Sequence, residues 1–515
     1  MRPEDVSLEQ SILSAARTKI AAYERYQRRL SDENTRRRRR STAPTAELVA
    51  RKPTLWALDP SFDPFHVRSH RRSIAYAISK HLANGTYRPL RPAGFQVPKE
   101  GGESRTVTAF SIADEVVSGR VYRSLLRKNR ARFSAHSYAY RDDLTVHDAL
   151  SYIQSEWKDE HRIFVAQYDL SRFFESISHE FLKETIANLG LTMTALERKV
   201  VDAFLEAPMP YTTHGEKSAL PVPRTRGVHQ GTSISLLIAN VALTPLDRDI
   251  ERLGASFARY ADDIVIWSRD YTAICNAVDV LHRHAKLSGC AFNMEKSRGV
   301  ELLVANQEAR AEFAKAVEVN YLSHAVGVRT IRMSARTEDK IKERISSFLF
   351  NHLIREPLRG TQQISRLLLD TDRDYIAYIW QLRRYLYGSL SESEVRRYQG
   401  SPIPAMRLSG AVARYPLVNS IDRLRDLDSW LSTQTWLALR RRERLLGSKV
   451  FWRPEPWGRS REDLITYKTL SASSGQPVDA RLPSFVRMAN VVARSVQSHG
   501  TEIVGPGFHL YGHKS

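Results

Sequence analysis

Cysteine is almost missing from this chain of 515 residues, which has only Cys275 and Cys290. Two thiols cannot make a disulfide framework or a zinc site built from cysteines. Long apolar runs are missing too. None approaches the roughly 20 residues that cross a bilayer, and Met1-Arg-Pro-Glu-Asp lacks the apolar stretch of a secretory signal. These absences lead us to expect a cytoplasmic protein with no membrane partner. Acidic residues are in deficit: 57 Asp and Glu face 78 Lys and Arg, for a formal charge of +21. Such an excess points to a polyanion, most often nucleic acid; good solubility is the plainer account. What the chain does have is 42% hydrophobic residues, enough for a substantial core and too many for disorder throughout. Its length suggests three or four structural units.

The charge is uneven. Net charge is +5 over residues 1–60, +5 over 61–160, −1 over 161–330 and +12 over 331–515. Leu8, Ile12, Ala15, Ile20 and Tyr23 lie roughly on one stripe and predict a helix over residues 7–30. Arg36 to Arg40 follow, then Ser41-Thr-Ala-Pro. Five adjacent charges cannot share one buried face, so we expect a solvated linker or a phosphate-gripping arm. Gly101-Gly102 separates two β-prone runs and suggests a hairpin tip, with Lys99 and Arg105 on either side. Residues 161–330 alternate strands and helices, and residues 335–515 read mostly as helices.

The informative stretch is Phe257-Ala-Arg-Tyr-Ala-Asp-Asp-Ile-Val-Ile-Trp. Two β-prone arms surround Asp262-Asp263, which predicts a hairpin with adjacent carboxylates at its tip. Like charges at one turn repel, and a divalent cation removes the conflict. Mg²⁺ binds through one or two carboxylates plus substrate phosphates. Upstream, Ile163-Phe-Val-Ala-Gln-Tyr-Asp reads as an apolar strand ending at Asp169, poorly placed for stability and well placed to join a metal site. Two Mg²⁺ ions about 4 Å apart can clamp the attacking and leaving oxygens of a phosphoryl transfer. Asp142-Asp143 is a second such pair, but its flanks suggest an ordinary exposed turn or cap.

At these residues the chain resembles the reverse transcriptases. Tyr260-Ala-Asp-Asp matches their YxDD motif. Tyr168-Asp-Leu-Ser-Arg-Phe-Phe-Glu-Ser-Ile resembles the strand-to-helix motif that supplies the first metal ligand. Arg226-Gly-Val-His-Gln-Gly-Thr-Ser-Ile-Ser is similar to the glycine turn that enters a long helix. Gly289-Cys-Ala-Phe-Asn-Met-Glu-Lys-Ser resembles the later lysine motif. Tyr321-Leu-Ser-His-Ala-Val-Gly resembles the palm–thumb strand, and Val97-Pro-Lys through Arg105, with Ile112-Ala-Asp-Glu-Val-Val, resembles the fingers motif. Six motifs occur in order over residues 94–330.

The resemblance implies an α+β right-hand polymerase with an antiparallel-sheet palm. It implies an N-terminal helical extension with an Arg-rich arm over residues 1–60, fingers over 61–160, and the palm over 161–330. A thumb would follow over 331–395 and a basic helical C-terminal domain over 396–515. Asp169, Asp262 and Asp263 would hold two Mg²⁺ ions. Lys99 and Arg105 would neutralise the triphosphate of a dNTP, or are plain hairpin cations. Phe174 would exclude a 2′-hydroxyl; the plainer account is that Phe173 or Phe174 simply packs in the core. Gln230 would contact the incoming nucleotide, and Gly231 would permit close backbone approach. Lys296 would protonate the leaving pyrophosphate, or is a solvated lysine. Partners would be an RNA template, a DNA product and dNTPs; a homo-oligomer is open.

Retron enzymes carry an Asn-Ala-x-x-His segment and a Val-Thr-Gly segment, and the sequence has neither; group II intron proteins often add a nuclease with metal-binding cysteines. The chain is most similar to the phage-defence group, the abortive-infection and "unknown group" enzymes, which join a polymerase core to a helical region of their own. The alternatives are template-independent or protein-primed synthesis on the same palm, or a reverse transcriptase of the retron or group II intron type. Beyond the palm, Tyr375, Tyr378, Trp380, Tyr385 and Tyr387 interleave with Arg383 and Arg384. Such residues either stack bases and bind phosphates or form a helical core stripe. Arg440-Arg-Arg-Glu-Arg suggests a basic outer face on a helix begun near Asp428.

Overall fold

The computed structural model describes residues 7–98, 104–212, 224–295, 297–305, 313–367, 371–470 and 476–505. The fold is α+β, with 16 α-helices among the described residues. At its centre is an antiparallel arrangement built on the strand Arg162–Ser171. One side of that strand pairs with Asp263–Ser268, which forms a hairpin with Ser256–Tyr260. The other side pairs with Arg298–Val304, and Ala291–Phe292 pairs with its end.

The sheet is covered on both faces, which explains the unbroken apolar run Ile264-Val-Ile-Trp. Successive strand residues point to opposite faces. Phe257, Ile264 and Ile266 enter one core, with residues of the helices Ser233–Arg252 and Tyr271–Ser288. Ala258, Tyr260, Val265 and Trp267 enter a second core, with Ala149, Leu150, Ile153 and Trp157 of the helix Val146–Trp157. A strand buried on both faces leaves polar side chains room only at its ends. That is where the aspartates stand.

Ahead of this sheet, Ala93–Pro98 and Ser104–Ala109 pair antiparallel, with Pro98 opposite Ser104. The hairpin tip expected at Gly101-Gly102 lies outside the described residues. Beyond the sheet, one continuous core runs from Met333 to Val492 and holds the segments on both sides of residue 395. Tyr375, Tyr378 and Tyr387 are fully buried in it, so three of the five aromatics are core. A short hairpin, Lys468–Leu470 with Pro477–Asp479, interrupts the helices.

The Arg-rich linker is corrected by the structure. One helix runs from Leu8 to Arg40, about 50 Å at 1.5 Å per residue. Arginine is a good helix former, and cations favour a helix C-terminus. A helix also fans five consecutive side chains around its axis. Arg36, Arg38 and Arg39 are exposed, while Arg40 is buried and donates to Glu33 (3.2 Å) and the carbonyl of Asn351 (3.4 Å). Near its start, Ile12 and Ala16 pack with Val67, Ala75, Ile112 and Ala113. At its far end the N–H of Gln363 donates to the Arg40 carbonyl (2.9 Å). The helix thus spans from the region beside the sheet to the C-terminal core.

The helix carrying Arg440 to Arg444 begins at Ile421, not near Asp428. Its arginines also divide by face. Arg441 and Arg444 are exposed. Arg442 is fully buried and pairs with Asp372 (2.6 Å) and Asp374 (2.9 Å).

Candidate active site

Tyr260 pairs with Asp263, so the hairpin is closed by two residues, Ala261 and Asp262. Ala261 has φ of 61°, a left-handed conformation at the first loop position. Two-residue hairpins need such a value to match the strand twist, and a residue other than glycine holds it at a cost of about 1–3 kcal/mol. That strain is held at the carboxylate tip.

The strand register brings the aspartates together. Asp169 lies directly opposite Asp263, where side chains on one face are about 5 Å apart at Cβ. The N–H of Leu170 donates to the Asp262 carbonyl (3.4 Å). Asp262 itself is 9% exposed. Its negative charge is felt by its neighbours. Burial, and then Asp262, push the Tyr140 hydroxyl well above its ordinary range and raise the Cys290 thiol. Burial, and then Asp263, do the same to Tyr321. The amide of Gln167 donates to Asp263 (3.2 Å) and to the Asn320 carbonyl (2.8 Å).

Opposed carboxylate oxygens beside a strained turn suit a hard divalent cation. Asp169 and Asp263 are the opposed pair, and Asp262 stands next to them in the turn. Among the described residues no three or more His, Cys, Asp or Glu side chains are grouped as a metal-holding cluster.

The strand-to-helix motif and the glycine turn connect to this hairpin through Phe174. Phe174 and Phe173 are both buried and meet edge-to-face at 5.8 Å. Phe174 also lies edge-on to Tyr140 at 6.3 Å, which places it beside the ring that feels Asp262. The Phe174 carbonyl accepts from the Val228 N–H (2.6 Å). Gly231 has φ of 146°, and a Cβ there would stand 1.8 Å from the Thr108 carbonyl oxygen. Only glycine lets the turn approach that closely. The adjacent Gln230 carbonyl accepts from the Thr108 N–H (2.7 Å), on the strand that carries Arg105. Gln230 and Arg105 are half-buried.

Lys99 and Lys296 lie outside the described residues. On either side of position 296, Asn293 donates its N–H to the Asp169 carbonyl (2.8 Å), and the Ser297 hydroxyl accepts from the Asp169 N–H (3.4 Å). Asp142 and Asp143 are a surface turn: Asp142 pairs with Arg130 and Asp143 with Arg141. Hydrogen bonds from Arg141 hold the Asp143 carboxyl below its ordinary range.

One buried group escaped the sequence reading. Arg259 precedes Tyr260 and is 1% exposed. Its guanidinium donates to both oxygens of Asp247 (2.7 and 2.6 Å), to Ser137 (2.8 Å) and to Asn240 (2.9 Å). It also donates to the carbonyl of the strained Ala261 (3.0 Å). A buried arginine thus anchors the turn that presents Asp262. Charge adjacent to the aspartate pair was visible in the sequence, but Asp247 lies twelve positions away on a helix. Tyr140 also escaped notice.

The sequence of residues 97–326 matches the family model described as reverse transcriptase (RNA-dependent DNA polymerase). No curated protein matches the chain. Among solved structures, apo telomerase from Candida tropicalis is similar over 52% of this chain and 60% of its own, at 12% identity and a TM-score of 0.38. Telomerase from Candida albicans, in complex with a fragment of telomeric RNA, is similar over 75% and 59%, at 13% identity and the same TM-score. The chain therefore spans about six-tenths of the telomerases it matches. The sequence match stands over the strand, the hairpin and the glycine turn just described. Residues 97–326, a little under half of the chain, carry a reverse transcriptase domain.

Proposed function

We propose that the whole chain synthesises DNA from dNTPs on an RNA template. The observation that carries this is Asp169 directly opposite Asp263, with Asp262 in the adjoining strained turn. Asp169, Asp262 and Asp263 would hold two Mg²⁺ ions. Bound there, the metal supplies positive charge for the attacking and leaving oxygens. The primer 3′-hydroxyl loses its proton and attacks the α-phosphorus. The bond to pyrophosphate breaks as the new ester forms. Arg105, with Lys99, neutralises the triphosphate, Gln230 and Gly231 border the nucleotide, and Phe174 excludes the 2′-hydroxyl. Lys296 returns a proton to pyrophosphate.

On this reading, fingers cover residues 61–160, the palm 161–330 and the thumb 331–395. The Leu8–Arg40 helix and the C-terminal region are additions outside the matched domain. Those additions support placement with the phage-defence enzymes, acting in the cytoplasm with a noncoding RNA template. No helix among the described residues is long and apolar enough to cross a membrane.

Asp262→Asn with Asp263→Asn should abolish dNTP incorporation in a primer-extension assay while the circular dichroism spectrum stays unchanged. Retained synthesis would sink the assignment. Homopolymer made without added RNA would instead favour the untemplated reading. Protection of cells against phage, lost with the same double change, tests the defence role.

A further inference from the structure

The helix Arg373–Tyr387 divides its large side chains by face. Tyr375, Tyr378, Leu382 and Leu386 turn inward and are fully buried. Trp380 turns outward and is 61% exposed. Arg373 and Arg384 are exposed at seven residues before it and four after it, spacings that share one helical face.

Trp380 and Arg384 border a cleft of about 880 Å³, which also includes Tyr385 and Arg414. Its far wall is the segment 409–414, which ends in a 3₁₀ turn over Val412–Arg414, and two glycines bring that wall in. A Cβ on Gly388 would meet the Ser409 backbone at 2.5 Å, and one on Gly410 would meet the Leu386 carbonyl oxygen at 2.5 Å. Both take φ values of the left-handed region, 69° and 102°. The N–H of Ala411 donates to the Tyr385 carbonyl (2.7 Å). Arg383, which also lines the cleft, donates to the carbonyl and carboxylate of Asp479 (both 2.8 Å). The cleft is therefore already shaped, and little ordering is left for a ligand to impose.

A flat aromatic face with arginines on both sides suits a base stacked on the ring and phosphates on the guanidiniums. A duplex hides its base faces, so the matching ligand is single-stranded. The segment holding this cleft, residues 331–515, carries a net charge of +12. It lies outside residues 97–326, the matched domain.

We propose that this cleft binds single-stranded RNA, with one base on Trp380 and the backbone between Arg384 and Arg414. The choice of RNA rests on the reading that the chain copies an RNA strand. The cleft would grip that strand apart from the aspartates.

The test is equilibrium binding of fluorescent oligouridylate to the full chain, in EDTA and without dNTPs. No synthesis is needed, so failure of the polymerase reading and failure of the cleft are separable. Trp380→Ala should weaken binding roughly tenfold, the effect of losing one stacked base. Trp380→Phe should keep most of the affinity. Arg384→Gln should weaken binding and flatten its salt dependence. Oligouridylate carrying 5-iodouridine should crosslink to Trp380 under ultraviolet light. Unchanged affinity in Trp380→Ala, or equal loss in Trp380→Phe, would overturn stacking at this ring. A loss seen only with oligothymidylate would overturn the assignment to RNA.

Discussion

Replacing Arg259 by Met separates the stability of the palm from its catalytic geometry. The substitution keeps the side chain's length and removes its charge. Asp247, which is 0% exposed, would then be a buried carboxylate without its cation. Breaking a buried pair from one side costs about 3–5 kcal/mol, against a typical total of about 5–15 kcal/mol. Arg259→Met should therefore lower the urea midpoint sharply. Arg259→Met with Asp247→Leu removes both charges, and such replacements are often neutral. The double variant should recover most of the lost stability. It cannot recover the bond to the Ala261 carbonyl (3.0 Å). A hydrogen bond from a charged group contributes about 1.5–3 kcal/mol, comparable with the strain of a left-handed alanine. Without it the turn has lost the contact that offsets its conformation, and Asp262 moves. Urea melts and primer extension on the same preparations read the two effects apart. We expect a stable double variant whose extension rate falls at least tenfold. Wild-type extension by that variant would refute the claim that Arg259 positions the turn. An Arg259→Met single variant as stable as the parent would refute the cost assigned to Asp247.

Three further outcomes follow from the geometry. Gly231→Ala places a Cβ against the Thr108 carbonyl; overpacking and backbone strain together cost about 3 kcal/mol, so the urea midpoint should fall and the KM for dNTP should rise. Phe174→Ala should admit rNTPs in a misincorporation assay and, because the ring is buried, lower stability by about 3–5 kcal/mol; unchanged dNTP preference would remove Phe174 as the gate. Burial holds His229, His284, His324 and His352 at about 4 in the folded chain, whereas an unfolded histidine titrates near 6.5. Between those values the unfolded chain binds more protons, so stability should be full above about pH 6.5 and drop steeply towards pH 4; a flat pH–stability profile over that range would contradict neutral burial.

The carboxylate site was legible because its signals are local. An apolar run ending in Asp169, and two β-prone arms around Asp262-Asp263, define a strand and a hairpin without reference to the rest of the chain. The register that sets Asp169 opposite Asp263 is a pairing distant in sequence, and only the structure supplies it. What stayed hidden depends on partners distant in sequence. Arg259 looks like one more surface cation until Asp247, Asn240 and Ser137 close around it. The same holds for Arg40 and Arg442, each read within a run of charge. Composition described those runs as solvated, but a helix turns about 100° per residue and delivers one member of each inward. The aromatics at 375–387 show the converse. Their helical phase already separates the buried tyrosines from Trp380, and reading them as a single group obscured it.

The Leu8–Arg40 helix has a mechanical consequence. It joins two separate cores as a tie rod joins two walls. Ile12 and Ala16 fix one end and the Arg40 backbone fixes the other. A helix resists both compression and bending, so the two cores cannot change their separation along it without first releasing Gln363 from Arg40.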